Sequence, residues 1–355
     1  MSLLKNSSIV IVGIFVSNLM AYVFHFLAGR MLGPGDYGVF GALTALFLQA
    51  AIPATALNSG ITKFTSIYQN DDKPGNIALL RKKIQSDLIF FSAFILGLII
   101  IFSQSIAKFL HVDSNTLVIL ISISITFYLL LAVNRGILQG LRKFRVVSWN
   151  LIVEALSRLL LLAIFFYLGY GVKGAILAYG LAYFAALLFV FPYIKETRKE
   201  IINKEEIKIR PIYKFILLVL FANLIIQSII NVPSILIKHY YSDEFTGYWT
   251  AALNIARISL FITSSISLVM FPEIASEINN QKKKKIFGRA IFMVILFTSG
   301  IAILFFLIPQ FLLKSLYGSA YLGAAPILQW MGFVMILVGL LQLTTDFFLA
   351  RLKSN

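Results

Sequence analysis

"GRMLGPGDYGVFGALTAL", residues 29–46, sets Gly33, Pro34 and Gly35 between two strongly apolar stretches. Proline interrupts a helix and glycine tolerates backbone angles that other residues avoid, so this knot predicts a tight turn between two helices. Each flanking stretch is roughly the 20 residues that a helix needs to cross a hydrocarbon core. The chain is therefore expected to leave a membrane after one span and to re-enter it within about ten residues as the next. Asp36 is placed to cap the incoming helix, and Tyr37 and Phe40 stand at the lipid–water level where aromatic side chains anchor.

Outward from this hairpin, apolar runs of the same length recur along all 355 residues. Hydrophobic residues make up 59% of the chain and charged residues 13%, about half the charged share of an average soluble domain, which excludes a soluble protein. About ten spans follow from hydropathy, roughly 9–28, 39–58, 86–107, 116–133, 147–168, 172–194, 215–237, 248–271, 287–308 and 325–348. The fold class is all-α and polytopic. The first run lacks a small-residue cleavage site and is read as a retained helix rather than a signal peptide. No cysteine is present, which removes disulfides, thiolate catalysis and cysteine metal sites.

The net charge of +16 maps onto the membrane. Of the 31 Lys and Arg, all fall on the side of the N-terminus except Arg30, Lys108, Lys173, Lys238 and Lys314 opposite, and Arg158 and Arg257 within spans. Positive-inside puts that side in the cytoplasm. The loops "LRKKIQSD", "LRKFR" and "QKKKK" fit topology determination and attraction to anionic headgroups, and no base-reading element accompanies them, so nucleic acid is not an expected partner. Lys195–Lys214 is the long polar segment. It divides the chain into residues 1–200, with six spans, and 201–355, with four.

Shifting the sequence by about 209 residues lays "YGVFGALTAL" over "TGYWTAALNI" and superposes spans one to four on spans seven to ten, as parallel repeats do. Gly38 meets Gly247, and Phe40 meets Trp249. "YYSDEFTGYWTAAL" is then the second copy of the hairpin, turning on Ser242, Asp243 and Gly247. Under this shift residue 355 stands near position 146 of the first copy, so the second lobe reads as incomplete, with two helices fewer than the first.

"AGRMLGPGDYGVFGAL" after the first span, "MFPEIASE" (270–277) closing the eighth and "LYGSAYLGAAPILQW" (316–330) entering the tenth together resemble the polysaccharide-exporter branch of the MATE-like flippase superfamily. The resemblance covers nearly the whole chain, and the count of ten spans departs from the twelve or more usual in that superfamily. It implies two lobes around a central cavity and alternating access that carries lipid-diphosphate-linked sugars from the cytoplasmic to the outer leaflet of the cell membrane. It implies as partners a lipid-linked oligosaccharide, membrane lipids and other polysaccharide-assembly proteins.

Polar groups inside spans need a partner or water, and so mark the inward faces of their helices. Asn223, Gln227 and Asn231 repeat every four residues on span seven, with Ser234 continuing the stripe. At the repeat shift Asn18, Tyr22 and His25 occupy span one. Two readings stand: both first helices line a hydrated cavity, or the side chains hydrogen-bond between packed helices. His25 either couples protons or fills a hydrogen-bonded niche. Glu154 and Arg158, spaced i, i+4 with the acid first, form a favourable helical pair. Arg257 lies about ten residues into span eight, hence ~15 Å deep, with no acid within a turn. Its planar donors suit a diphosphate; pairing with Glu154 or with a backbone carbonyl is the alternative. In this reading Arg257, assisted by Arg158, contacts the substrate phosphates, and the Asn and Gln stripes contact sugar hydroxyls.

A membrane glycosyltransferase would need paired acids at an active-site face, and the outer loops hold only Asp36, Asp113, Asp243 and Glu244. No nucleotide-binding loop is present, and no cofactor is expected. A cation-coupled drug exporter shares the fold class, but two deep arginines against one deep acid favour an anionic substrate. A truncated, non-transporting membrane protein is the third alternative.

Overall fold

The computed structural model describes residues 2–195, 207, 209–277 and 279–351; residues 196–206 and 208 of the polar segment lie outside the described residues. Among the described residues the chain is all-helical: α1 (Ser2–Ala50), α2 (Ile52–Asn70), α3 (Pro74–Phe109), α4 (Asn115–Gly140), α5 (Phe144–Tyr167), α6 (Gly171–Lys195), α7 (Ile209–Tyr240), α8 (Asp243–Ala256), α9 (Ile258–Ser276), α10 (Asn280–Leu307), α11 (Pro309–Leu316) and, after a 3-10 turn, α12 (Ala325–Arg351). Nine helical runs among these residues are long and apolar enough to cross a membrane. The first, Gly13–Asn70, carries two of the expected spans, and each of the others carries one. The chain is a multi-pass membrane protein.

The glycine–proline motif at residues 33–35 acts chiefly through Gly33. Gly33, at φ 74 and ψ 171, is the non-helical position inside α1, and Pro34 resumes the helix directly after it. Glycine tolerates this positive φ, and proline fits the first position of the restarted helix, where its missing N–H costs nothing. Sixteen residues of straight helix span ~24 Å. Yet the rings of Phe24 and Phe40 stand 5.9 Å apart, so the chain doubles back at Gly33. Tyr37 and Phe40 are fully buried and do not anchor at a lipid–water level. A buried tyrosine needs a partner for its hydroxyl. Asn254 donates to Tyr37 Oη at 2.9 Å, and the Tyr317 hydroxyl lies 3.2 Å away.

The chain forms two compact units, Met1–Leu32 with Val39–Tyr241, and Gly33–Gly38 with Ser242–Asn355. This contact division falls after Tyr241 rather than at residue 200, because α7 packs on α2, where Asn223 Nδ2 donates to Thr55 Oγ1 at 3.2 Å. In the first unit α2, α3 and α4 pack on one another, and α4 and α5 both pack on α6. In the second unit α9, α10 and α12 pack on one another, and α8 packs on α12. The trio α2, α3, α4 thus returns as α9, α10, α12, each helix displaced by about the same repeat shift.

One contact inside the second unit is reciprocal under that shift. A methyl group built on Gly38 would collide with the Asp243 carbonyl oxygen and stand 2.7 Å from the Gly247 nitrogen. One built on Gly247 would collide with the carbonyl oxygen of Pro34. Pro34 and Asp243 are themselves repeat equivalents, as are Gly38 and Gly247, so the two close approaches are copies of one contact. Gly247 therefore serves backbone packing within α8, not the turn expected of it. Ser242 caps α8 instead, its Oγ accepting from the Phe245 N–H at 3.3 Å.

Three cations assigned to loops are buried parts of helices, because the helices run past their apolar windows. Arg81 in α3 donates from Nη1 to the Ile194 carbonyl of α6 at 2.9 Å. Lys238, 0% exposed, lies in the last turn of α7 and donates to the His111 carbonyl at 3.0 Å. Arg135 lies within α4 and pairs with Glu154 of α5.

Candidate functional site

A buried polar group in the first unit is built by α4, α5 and α6. Glu154 and Arg158 form the expected pair, Oε1 to Nη2 at 2.5 Å. The other carboxylate oxygen, Oε2, meets Arg135 Nη2 at 2.7 Å. Arg135 Nε donates to Asn150 Oδ1 at 2.7 Å, and Asn150 Nδ2 donates to the Ala186 carbonyl of α6 at 2.6 Å. Asn150 is fully buried, so one side chain joins the arginine of α4 to the backbone of α6.

Arg158 is 5% exposed and its guanidinium faces aromatic rings. Its central carbon lies 4.2 Å from the ring centre of Tyr179, 5.1 Å from Tyr183 and 5.8 Å from Phe24. Negative ring faces attract a cation, and more strongly when water is excluded. Its Nε is buried without a hydrogen-bond partner. The group holds two guanidiniums, which stay protonated, against one carboxylate. One positive charge remains in excess inside a membrane protein, and arginine presents the planar donor fork that matches a phosphate.

The α1 stripe borders this group through Phe24. Tyr22, His25 and Asn18 are half-buried. Tyr22 stacks at a tilt on Phe26 at 5.9 Å, and His25 meets Phe24 edge-on at 5.4 Å and Phe40 at 6.1 Å. On α7, Asn223 and Gln227 are half-buried and Asn231 is 1% exposed. Ser228, between them, accepts from Gln49 Nε2 at 2.6 Å.

In the second unit Arg257 sits where the helix breaks. It ends α8 and begins α9, its N–H donating to the Leu253 carbonyl at 2.9 Å and its own carbonyl accepting from Leu260 at 3.0 Å. Its side chain is half-buried. Neither glycine nor proline announces this break in "NIARISLF", which is why the sequence reads as one continuous span.

Sequence reasoning missed Arg135, Asn150, Tyr179 and Tyr183. A usable signal existed: Asn150 and Glu154 are i, i+4 on one face of an otherwise apolar helix, with Arg158 next on that face. Such a row needs a donor from a neighbouring helix, and Arg135 lies just past the apolar window of the preceding one.

The polysaccharide biosynthesis protein family model matches residues 3–277. A membrane protein of Methanocaldococcus jannaschii is 25% identical over 303 residues, covering 78% of this chain and 68% of that protein. A Shigella flexneri protein named "Putative O-antigen transporter" is 22% identical over 331 residues, covering 90% of this chain and 78% of its own length. Among solved structures, an inward-facing multidrug resistance MATE family transporter of the MOP superfamily superposes with a TM-score of 0.70 at 15% identity, covering 94% of this chain and 83% of that one. The lipid II flippase MurJ, in an inward closed conformation, superposes with a TM-score of 0.72 at 17% identity, covering 96% and 75% respectively. The fold is MATE-like, and the chain belongs to the polysaccharide biosynthesis protein family.

Proposed function

We propose that the chain is a flippase that carries a lipid-diphosphate-linked oligosaccharide from the cytoplasmic to the outer leaflet of the cell membrane, for cell-surface polysaccharide biosynthesis. The N-terminus is cytoplasmic, and transport proceeds by alternating access of two lobes, 1–200 and 201–355. It moves its substrate without chemical change. Family membership carries this reading, and the names of two neighbours agree with it, an O-antigen transporter and a lipid II flippase. The substrate's anionic class is supported by the buried cation excess of Arg135, Glu154 and Arg158.

Arg158 and Arg257 are each assigned to substrate phosphates during passage, with Glu154 holding Arg158 in place. Asn18, Tyr22 and His25 of α1, and Asn223, Gln227 and Asn231 of α7, are assigned to sugar hydroxyls. Arg158 and Asn231 are covered in the conformation described, so the reading requires that the loading state uncover them.

The test is a proteoliposome assay of lipid-linked oligosaccharide flipping, at matched protein density. Arg257→Ala is expected to lower the rate at least tenfold, the loss of about one charge-assisted hydrogen bond to phosphate. Equal rates for wild type and variant would remove Arg257 from the assignment, and no flipping by the wild type would remove the function.

A further inference from the structure

The lysine-rich start of α10 fits topology determination, but its geometry holds more than a run of charge. A cleft of about 510 Å³ is lined by Lys285, Gly288, Arg289, Phe292 and Met293. These positions follow i, i+3, i+4, i+7 and i+8, so they form one face of the helix. The two cations stand at its N-terminal end, and Phe292, 66% exposed, and Met293, 40% exposed, follow below them. Leu296 continues the apolar track, also exposed. Gly288 makes the depression: nothing lies within 4 Å of where its Cβ would be.

The opposite face of α10 is fixed. Ala290 and Val294 are buried in a cluster with Leu343 and Phe347, and Ile286, Phe287 and Ile291 pack against it. The Phe287 and Phe347 rings stack at 4.1 Å and 22°. The cleft face therefore points away from protein, and among the described residues neither Lys285 nor Arg289 is in an ion pair. Two unpaired cations above an exposed apolar track match an amphiphile with an anionic head. A fork of arginine donors with an ammonium one turn away on the same face, about 5–6 Å between Cβ atoms at this spacing, suits a phosphodiester better than a zwitterionic head, whose own cation would be repelled.

We propose that this cleft is a binding site for an anionic phospholipid, with the headgroup phosphate between Lys285 and Arg289 and an acyl chain over Gly288 along Phe292, Met293 and Leu296. With the orientation proposed above, the lipid belongs to the cytoplasmic leaflet. The site itself does not depend on flipping.

Native mass spectrometry of the purified chain in detergent, titrated with dioleoylphosphatidylglycerol or dioleoylphosphatidylcholine, tests it independently of transport and of orientation. Wild type is expected to prefer phosphatidylglycerol. Lys285→Ala with Arg289→Ala is expected to weaken phosphatidylglycerol binding at least tenfold, the loss of charge-assisted hydrogen bonds to the headgroup phosphate. Lys282→Ala with Lys284→Ala removes the same charge outside the cleft and is expected to cost under threefold. Equal losses in the two double variants would mean that net charge alone attracts the lipid, and would overturn the site. Gly288→Leu fills the depression at constant charge and is expected to weaken binding about tenfold; unchanged binding would also overturn it. All five positions substituted are solvent- or lipid-exposed, and Gly288→Leu stands as a separate test if a double variant does not fold.

Discussion

Glu154→Gln is expected to lower the unfolding free energy by about 3–5 kcal/mol, the cost of leaving a buried charge without its counter-ion. Glu154 is the acid between two arginines, with Oε2 on Arg135 and Oε1 on Arg158. Glutamine keeps the volume and one acceptor, but its amide turns a donor toward one guanidinium. Arginine cannot relieve the strain by losing its proton. The excess inside the cluster then rises from one positive charge to two in a weakly screened interior, where such charges interact strongly. Reversible unfolding in mixed micelles, followed by far-ultraviolet circular dichroism, measures the loss.

A second variant separates charge from packing. Removing a buried ion pair together, with side chains of similar volume, is often neutral. Arg135→Met with Glu154→Met leaves Arg158 alone on Tyr179 and Tyr183, so the net charge stays at one. The double variant is expected to be more stable than Glu154→Gln by ~2 kcal/mol or more. If Glu154→Gln is as stable as wild type, the cluster is hydrated and its buried excess charge does not exist. That result would also withdraw the support which this cluster lends to an anionic substrate.

The spans were legible in the sequence because crossing a bilayer imposes a local rule, about 20 apolar residues in a row. Gly33 and Pro34 were legible for the same reason: a backbone angle and a missing donor act where they stand. The repeat was legible in Gly38 and Gly247, although its reason was not, since a turn and a close approach both call for glycine. What escaped depended on distant partners. Arg135 reads as a loop charge until Glu154, 19 positions later, draws it into the helix bundle. Tyr37 suits an interface or a core equally well, and Asn254, 217 positions away, decides for the core. The turn at Arg257, between α8 and α9, keeps helical backbone angles, and no glycine or proline marks it in the sequence. Of the candidate site, the Glu154 and Arg158 pair was readable as an i, i+4 spacing, while its third member and its aromatic surround were not.

Gly247→Ala is expected to destabilise the chain by about 2–3 kcal/mol, in the upper range of costs for overpacking a tight contact. The added methyl collides with the Pro34 carbonyl oxygen, which is backbone and cannot rotate aside as a side chain would. Pro34 is held in turn by its ring and by the Gly33 break before it, so relief has to come from moving the helix ends. Gly38→Ala meets the Asp243 carbonyl in the same way and is expected to cost nearly as much, because the two contacts are repeat-related copies. Combined, they should cost clearly less than the sum of the single losses, since one separation of the same two segments relieves both. Gly300→Ala in α10 is the matched control, with nothing within 4 Å of the new methyl, and is expected to stay neutral or gain up to ~1 kcal/mol from helix propensity. Thermal unfolding in detergent ranks the four variants. A Gly247→Ala protein as stable as Gly300→Ala would show that the segments are not in close contact, and a strictly additive pair would show that the two approaches are independent. The reciprocal contact, and with it the structural meaning of the repeat, rests on the non-additive result.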